Sequence, residues 1–182
     1  MLIKKLHPNQ ILTLSDYPVH SEQVLKLYHR MFWRGHHTLI PPLPVIAIDK
    51  GQLKMTGNGK KTKRYNELLT RFLKNHPRAR YCLVDGSHKT TAAALCNKSI
   101  RAMVFKTDAD ILAARKMVEQ GELLSLTTGD TNSIKDALKI LRQHFFKARR
   151  FETVAEKTAR MVRGKVVPRY MIEVYRKAVP KN

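Results

Sequence analysis

"YCLVDGSHKTTAAAL", residues 81–95, joins an apolar run to a helix-forming segment through Asp85, Gly86, Ser87, His88 and Lys89. Tyr81 to Val84 read as a short buried strand, and the threonine- and alanine-rich run after Lys89 reads as a helix. Gly86 at the junction lets the backbone turn sharply and be approached closely. The amides of a first helical turn lack intrahelical acceptors and sit at the positive end of the helix dipole. Such a turn is a ready anion site. Ser87 adds a hydroxyl, His88 a ring donor and Lys89 a fixed cation. Asp85 has the wrong sign for direct phosphate contact. It suits a Mg2+ ion accompanying the phosphates, or a base acting on a hydroxyl. The same residues also allow a plainer reading. Asp85 then caps the helix, Ser87 supplements the cap, and His88 and Lys89 are solvated.

Outward from this turn, the chain alternates short apolar pieces with helical patterns. "LIKKL" and "ILTL" are β-capable and flank the turn-like His7, Pro8 and Asn9. Ser21 is placed to cap a helix, "SEQVLKLYHRMFWRG", with Val24, Leu27, Tyr28 and Met31 on one face and Gly35 at its end. In "PPLPVIAID" the prolines suit extended backbone, and Val45 to Ile48 read as a buried strand. Residues 50–62 are rich in glycine and lysine and read as a hairpin or mobile loop. Thr62 is placed to cap a helix over 63–75, with Tyr65, Leu68, Leu69 and Phe72 on one side. Its other side carries Lys63, Arg64, Arg71 and Lys74. After the turn, "IRAMVF" (100–105) predicts another strand. From Asp108 the pattern is helix after helix: 108–121, 132–148 with Ile134, Leu138, Leu141 and Phe145 on one stripe, and a last pair around Gly164 to Pro168. This predicts an α/β (α+β) chain, with a mixed-sheet domain over 1–106 followed by a helical C-terminal extension over 107–182.

Charge narrows the partners. The 182 residues carry 35 Lys and Arg against 14 Asp and Glu, a net of +21. Residues 54–80 hold nine basic residues against the single acid Glu67. Such a surface attracts polyanions, with an affinity that falls steeply with salt. Nucleic acid is therefore the expected partner, DNA favoured. Lys60, Lys61, Lys63, Arg64, Arg71 and Lys74 would contact phosphates without reading sequence. No apolar run approaches the length that spans a bilayer, so no membrane partner is expected. Nothing at the N-terminus resembles a signal peptide, and Cys82 and Cys96 lie in apolar segments as buried thiols, so a cytoplasmic location is the default.

Other residues carry weaker signals for chemistry. His36 and His37 lack further ligands at metal-binding spacing and read as a polar turn. Phe32 and Trp33, at a helix end, read as packing residues. "KMTGNGKKTKR" lacks the Gly-Lys-Ser/Thr ending of a phosphate-binding loop and reads as a flexible basic segment. The terminal pair within 152–178 has the order of a helix-turn-helix. Its longer, more apolar turn favours packing onto the α/β domain.

"LVDGSHKTTAAALCNKSIRAMVF" resembles the core motif of the ParB/sulfiredoxin superfamily: an apolar strand, Asp-Gly, a small or polar residue, His-Arg, and an alanine-bearing helix leading to the next strand. The upstream order fits as well, with an initial strand, the helix beginning "HSEQVLKL", and "PPLPVIAID" before the motif. The resemblance covers residues 1–106. It implies a compact α/β domain whose motif loop binds the phosphates of a nucleotide, ATP, ADP or CTP, with Mg2+ as accompanying ion. Gly86, Ser87, His88, Lys89 and Thr90 would be the nucleotide-binding positions and Asp85 the adjacent acid.

Two departures from the family pattern matter. Ser87 stands where sulfiredoxins use a cysteine, so sulfinic acid reduction is not expected. Lys89 stands where Arg is usual, which keeps the charge and loses the planar bidentate fork. The superfamily also includes small-molecule kinases, in which a carboxylate at the start of the first helix helps activate the substrate hydroxyl. Glu22 resembles that position, with Asp16 and His20 nearby, although Ser21 and Glu22 are also ordinary start-of-helix residues. The resemblance therefore implies a ParB-like nucleotide-binding protein that binds nucleic acid. The alternative is an enzyme, a phosphotransferase or nucleotide hydrolase, with Asp85 and Glu22 as catalytic groups.

Overall fold

The computed structural model describes residues 1–14, 20–49, 51–123 and 132–179. Their short apolar runs form β1 (Leu2–Leu6), β2 (Ile11–Thr13), β3 (Leu43–Ala47), β4 (Tyr81–Leu83) and β5 (Ile100–Phe105), and Glu152–Thr153 adds a two-residue β6. Among the described residues these make one six-stranded sheet in the order β1-β5-β3-β4-β2-β6. The sheet is mixed: β5 runs parallel to β3 and β4 parallel to β2, while β1–β5, β3–β4 and β2–β6 are antiparallel. The chain is thus an α/β protein.

Helices cover both faces of the sheet, and the strands follow from that. Side chains alternate across a strand, so successive residues enter different cores. Ile11, Leu43, Val45, Leu83, Ala102 and Val104 enter one core. Leu12, Ile46, Cys82, Met103 and Phe105 enter the other. A sheet buried on both sides needs near-continuous apolar strands, which is why "PVIAI", "YCLV" and "AMVF" carry no polar alternation.

The first core is closed by α1 (Glu22–Trp33), α3 (Ser87–Leu95), α6 (Val154–Arg163) and α7 (Arg169–Ala178). The second is closed by α2 (Lys60–Asn75), α4 (Asp108–Glu119) and α5 (Ile134–Ala148). Residues beyond 107 therefore enter both cores, and β6 extends the sheet through Leu12–Thr153 and Thr13–Glu152 pairing. The last two helices bury Met161, Val162, Met171 and Ile172 in the first core. They pack as the apolar turn between them predicts.

The local signals act largely as read. Ser21 caps α1, its Oγ accepting from Val24 N–H, and Gly35 ends that helix region in the left-handed conformation. Three expectations need correction. In α1 the buried residues are Leu25, Tyr28, His29 and Phe32, while Val24 and Leu27 are exposed. Apolar residues occur almost all round this helix, and α3 together with the sheet selects which stripe is covered. The second helix begins at Lys60 behind Gly59, so Thr62 lies inside it and is not its cap. The loop before it forms a turn at 51–53 and no strand among its described residues, so there is no hairpin there. Tyr65, Leu69 and Phe72 form the buried stripe of α2. Cys82 and Cys96 are buried free thiols.

Candidate functional site

The β4–α3 turn lies between two neighbouring strands, at the carboxyl end of β2 and the start of β3. Val84 N–H donates to Pro44 O at 3.1 Å, which fixes the turn against β3. Gly86 then takes φ 102° and ψ 36°, a left-handed conformation, and serves as the N-cap of α3. A Cβ at this position would lie 3.3 Å from Leu43 Cβ. Glycine is thus required twice, by the backbone angle and by the close approach of β3.

Two clefts border this turn. One, about 180 Å3, is lined by Val24, Tyr28, Pro42, Asp85, His88 and Lys89, with Pro44, Gly86 and Leu123 completing it. The other, about 190 Å3, is lined by Thr13, Leu14, His20, Asp85, Ser87 and His88, with Leu83, Val84 and Gly86. Asp85, Gly86 and His88 border both. Lys89 borders only the first cleft and Ser87 only the second, so the turn residues are divided between two openings that share Asp85, Gly86 and His88.

The Asp85, His88 and Lys89 side chains are held by the fold. Asp85 Oδ1 accepts the Gly86 N–H at 2.6 Å. The Gly86 amide is thereby engaged, and the first-turn amides of Ser87, His88 and Lys89 are those left to an anion. His88 Nε2 accepts the Ser21 N–H at 3.0 Å. The ring is accordingly neutral with its proton on Nδ1, and this leaves it one N–H to donate. Burial holds the His88 pKa below the ordinary histidine value, His20 adds to the effect, and Asp85 opposes it. Lys89 Nζ donates to Pro41 O at 3.4 Å and lies 5.9 Å from the centre of the Tyr28 ring. An ammonium has three donors, so contact with Pro41 leaves two for a ligand. Burial lowers the Lys89 pKa against the pull of Asp85, so an arriving anion would restore a partner to a partly desolvated cation. Tyr28 is raised, by burial first and by the Asp85 charge second.

Two expected site residues are placed elsewhere. Thr90 is 2% exposed, its hydroxyl donates to Gly86 O and Ser87 O, both at 3.1 Å, and its amide continues the helix to Gly86 O. It offers nothing outward and instead fastens the first turn. Glu22 pairs with Lys26 one helical turn on, both side chains about half exposed, and lines neither cleft. His20 does border the second cleft. Asp16 lies outside the described residues. Tyr28 and the carbonyl of Pro41 are site groups that sequence reasoning passed over. The "PPLP" stretch is the one local sign, because proline-fixed extended backbone beside a strand leaves carbonyls unpaired.

Among the described residues no three His, Cys, Asp or Glu side chains group as a metal site. Asp85 supplies a single carboxylate at the turn. That suits Mg2+, which keeps several waters and takes its other ligands from substrate phosphates.

The basic residues lie on the opposite face of the sheet from α3, along α2. Lys60, Lys61 and Arg64 border a groove shared with the end of α5. Arg71 and Lys74 border a separate shallow depression with Lys54 and Glu67. Lys63 is exposed and lines neither.

Comparison of the chain with protein-family models, with curated proteins and with solved structures returns no match. The chemistry of these sites is accordingly read from their own geometry. No helix among the described residues is long and apolar enough to cross a membrane.

Proposed function

We propose that the protein binds a nucleotide through its phosphates at residues 85–89 and holds nucleic acid on its basic α2 surface. The observation that carries the first half is the left-handed Gly86 pressed against Leu43. It ends β4 abruptly and leaves the start of α3 open beside a cleft that also holds Lys89 and His88. Backbone amides, a helix dipole, a ring N–H and an ammonium then converge where phosphate oxygens would sit. ATP, ADP or CTP, with Mg2+ carried on Asp85, is the ligand class this suits, in keeping with the resemblance to ParB-like domains. The net charge of +21 supports the second half.

Calorimetric titration with ATP, ADP, CTP and GTP tests the pocket. At least one nucleotide is expected to bind, and Lys89→Gln to weaken it about 10- to 100-fold, the worth of one charge-assisted hydrogen bond. A folded wild type indifferent to all four nucleotides overturns the proposal.

One observation favours a second reading, a phosphotransferase acting on a small hydroxyl compound. Asp85 borders both clefts, so a substrate hydroxyl in one could meet a carboxylate beside phosphates in the other. Glu22, engaged with Lys26, would then take no part. Nucleotide turnover with a panel of hydroxyl metabolites, compared with Asp85→Asn, decides it. Turnover that is absent, or unchanged by the substitution, removes the enzyme.

A further inference from the structure

We propose that the groove between α2 and the end of α5 binds single-stranded nucleic acid, with an unpaired base on an aromatic floor and phosphates on the surrounding cations. This rests on the nucleic-acid half of the function above and narrows it to one form of the polymer.

The groove has a volume of about 580 Å3, roughly three times that of either cleft at the α3 turn. Its cations are Lys60, Lys61 and Arg64 from α2 and Lys147 and Arg149 from the end of α5, and among the described residues no carboxylate lines it. Between them lie Tyr65, Leu68, Phe146 and Phe151. The rings are packed together: Tyr65 lies 5.4 Å from Phe151 and 5.8 Å from Phe146, and Phe151 lies 5.0 Å from Phe145. Tyr65 is anchored by its hydroxyl, which donates to Leu53 O at 2.8 Å. Phe146 and Phe151 are only partly buried. Aromatic side chains beside five cations in one groove are the combination that single strands use, bases stacking and the backbone tracking the charge.

The start of α2 adds an independent observation. The helix begins at Lys60 behind an N-cap glycine, Gly59, with no side-chain cap and no acid in its first turn. Lys60 and Lys61 occupy that turn instead, with Lys63 directly after. Cations at a helix N-terminus oppose its dipole, so this arrangement costs the fold stability. Local choices that work against the fold are expected at functional or strained sites. Here dipole and lysines combine into a strongly positive groove end suited to a polyanion.

A duplex fits the groove poorly. Its bases are stacked inside a rod and cannot reach Phe146 or Phe151, so it would use the cations alone. An acidic peptide could use the cations too, but it has no flat π-face for the rings.

The experiment is fluorescence anisotropy with a labelled 12-nucleotide strand, as DNA and as RNA, and with the matching duplexes, over a salt series. Support is a single strand of either sugar bound at least about 10-fold more tightly than its duplex, with loss of about 5-fold or more in Phe146→Leu, which keeps apolar volume and removes the ring. Lys60→Gln/Lys61→Gln/Lys147→Gln should lower the salt slope for the single strand by about 2. Phe146→Leu should leave that slope unchanged. Thermal melting confirms that both variants fold. Duplex bound as tightly as single strand, Phe146→Leu binding like wild type, or polyglutamate competing as well as the oligonucleotide would each overturn the inference while leaving a basic polyanion surface. Absence of binding to every probe at low salt would overturn the nucleic-acid function as well.

Discussion

The backbone N–H of Ser21 donates to Nε2 of His88 at 3.0 Å, so the N-cap of α1 is tied to the first turn of α3 across 67 residues of sequence. One ring thus couples the two helices that flank the candidate phosphate site, and it does so only while neutral.

A pH dependence follows. Unfolded, the His88 ring protonates near pH 6.5, at about its ordinary value. Folded, it protonates only at lower pH, because burial, then His20, outweigh Asp85. Between those two values the unfolded chain binds more protons, so stability rises with pH. The contribution is complete above about pH 6.5 and is lost as pH falls toward the folded value. Urea denaturation of wild type and His88→Gln should differ by about 1 kcal/mol near pH 7.5, and by less near pH 5. His29, also lowered by burial, is common to both proteins and cancels in the difference. A gap that widens on acidification would show that the ring is charged in the fold.

Gly86→Ala should be among the costlier small substitutions. Its φ of 102° lies where side chains are strained, and the new methyl would meet Leu43 Cβ at 3.3 Å. A loss of about 1–3 kcal/mol in denaturant unfolding is expected. Gly51→Ala, with open space around it, is the control and should be near neutral. Equal effects at the two positions would refute the close packing of the turn.

Glu152 anchors the far edge of the sheet. It is 7% exposed and receives Arg160 Nε at 3.0 Å and Nη2 at 2.9 Å, a two-pronged contact. Arg150 Nη1 approaches the same carboxylate at 3.4 Å. Glu152→Ala should cost about 2 kcal/mol, less than a fully buried pair because the Arg160 guanidinium can rehydrate. Chemical denaturation measures this, and a change below about 0.5 kcal/mol would mean that β6 does not depend on the pair.

The thiols should be silent in the native protein. Cys82 is fully buried and its pKa is raised by burial; Cys96 is pushed up to about 11 for the same reason. A chromogenic disulfide reagent at neutral pH should titrate both thiols in denaturant and neither before unfolding. Rapid reaction of one thiol in the folded protein would show that its core opens.

Strands β2 to β5 were legible because a sheet covered on both faces needs apolar runs, and such runs are visible within five residues. Ser21, Gly35 and the turn at Gly86 were legible because caps and left-handed glycines act on their own neighbours. The face of α1 was not. Val24, Leu27, Tyr28 and Met31 satisfy helical spacing as well as Leu25, Tyr28, His29 and Phe32 do, and only the packing of α3 chooses between them. Likewise the turn could be located in the sequence, but not that Thr90 folds its hydroxyl back onto Gly86 O or that Glu22 turns to Lys26.

From the sequence alone came the α/β alternation, the bend at Asp85-Gly86 and a net charge suited to polyanions, all properties of neighbouring residues or of totals. Only the tertiary structure decided that His88 accepts from Ser21, that Glu152 and Thr153 complete the sheet, and that Lys60 and Phe146 share one groove. Those pairings join residues 67 to 141 positions apart or bring separate helices face to face. Local periodicity carries no information about which surface meets which, because that is settled by how the two cores close around the sheet.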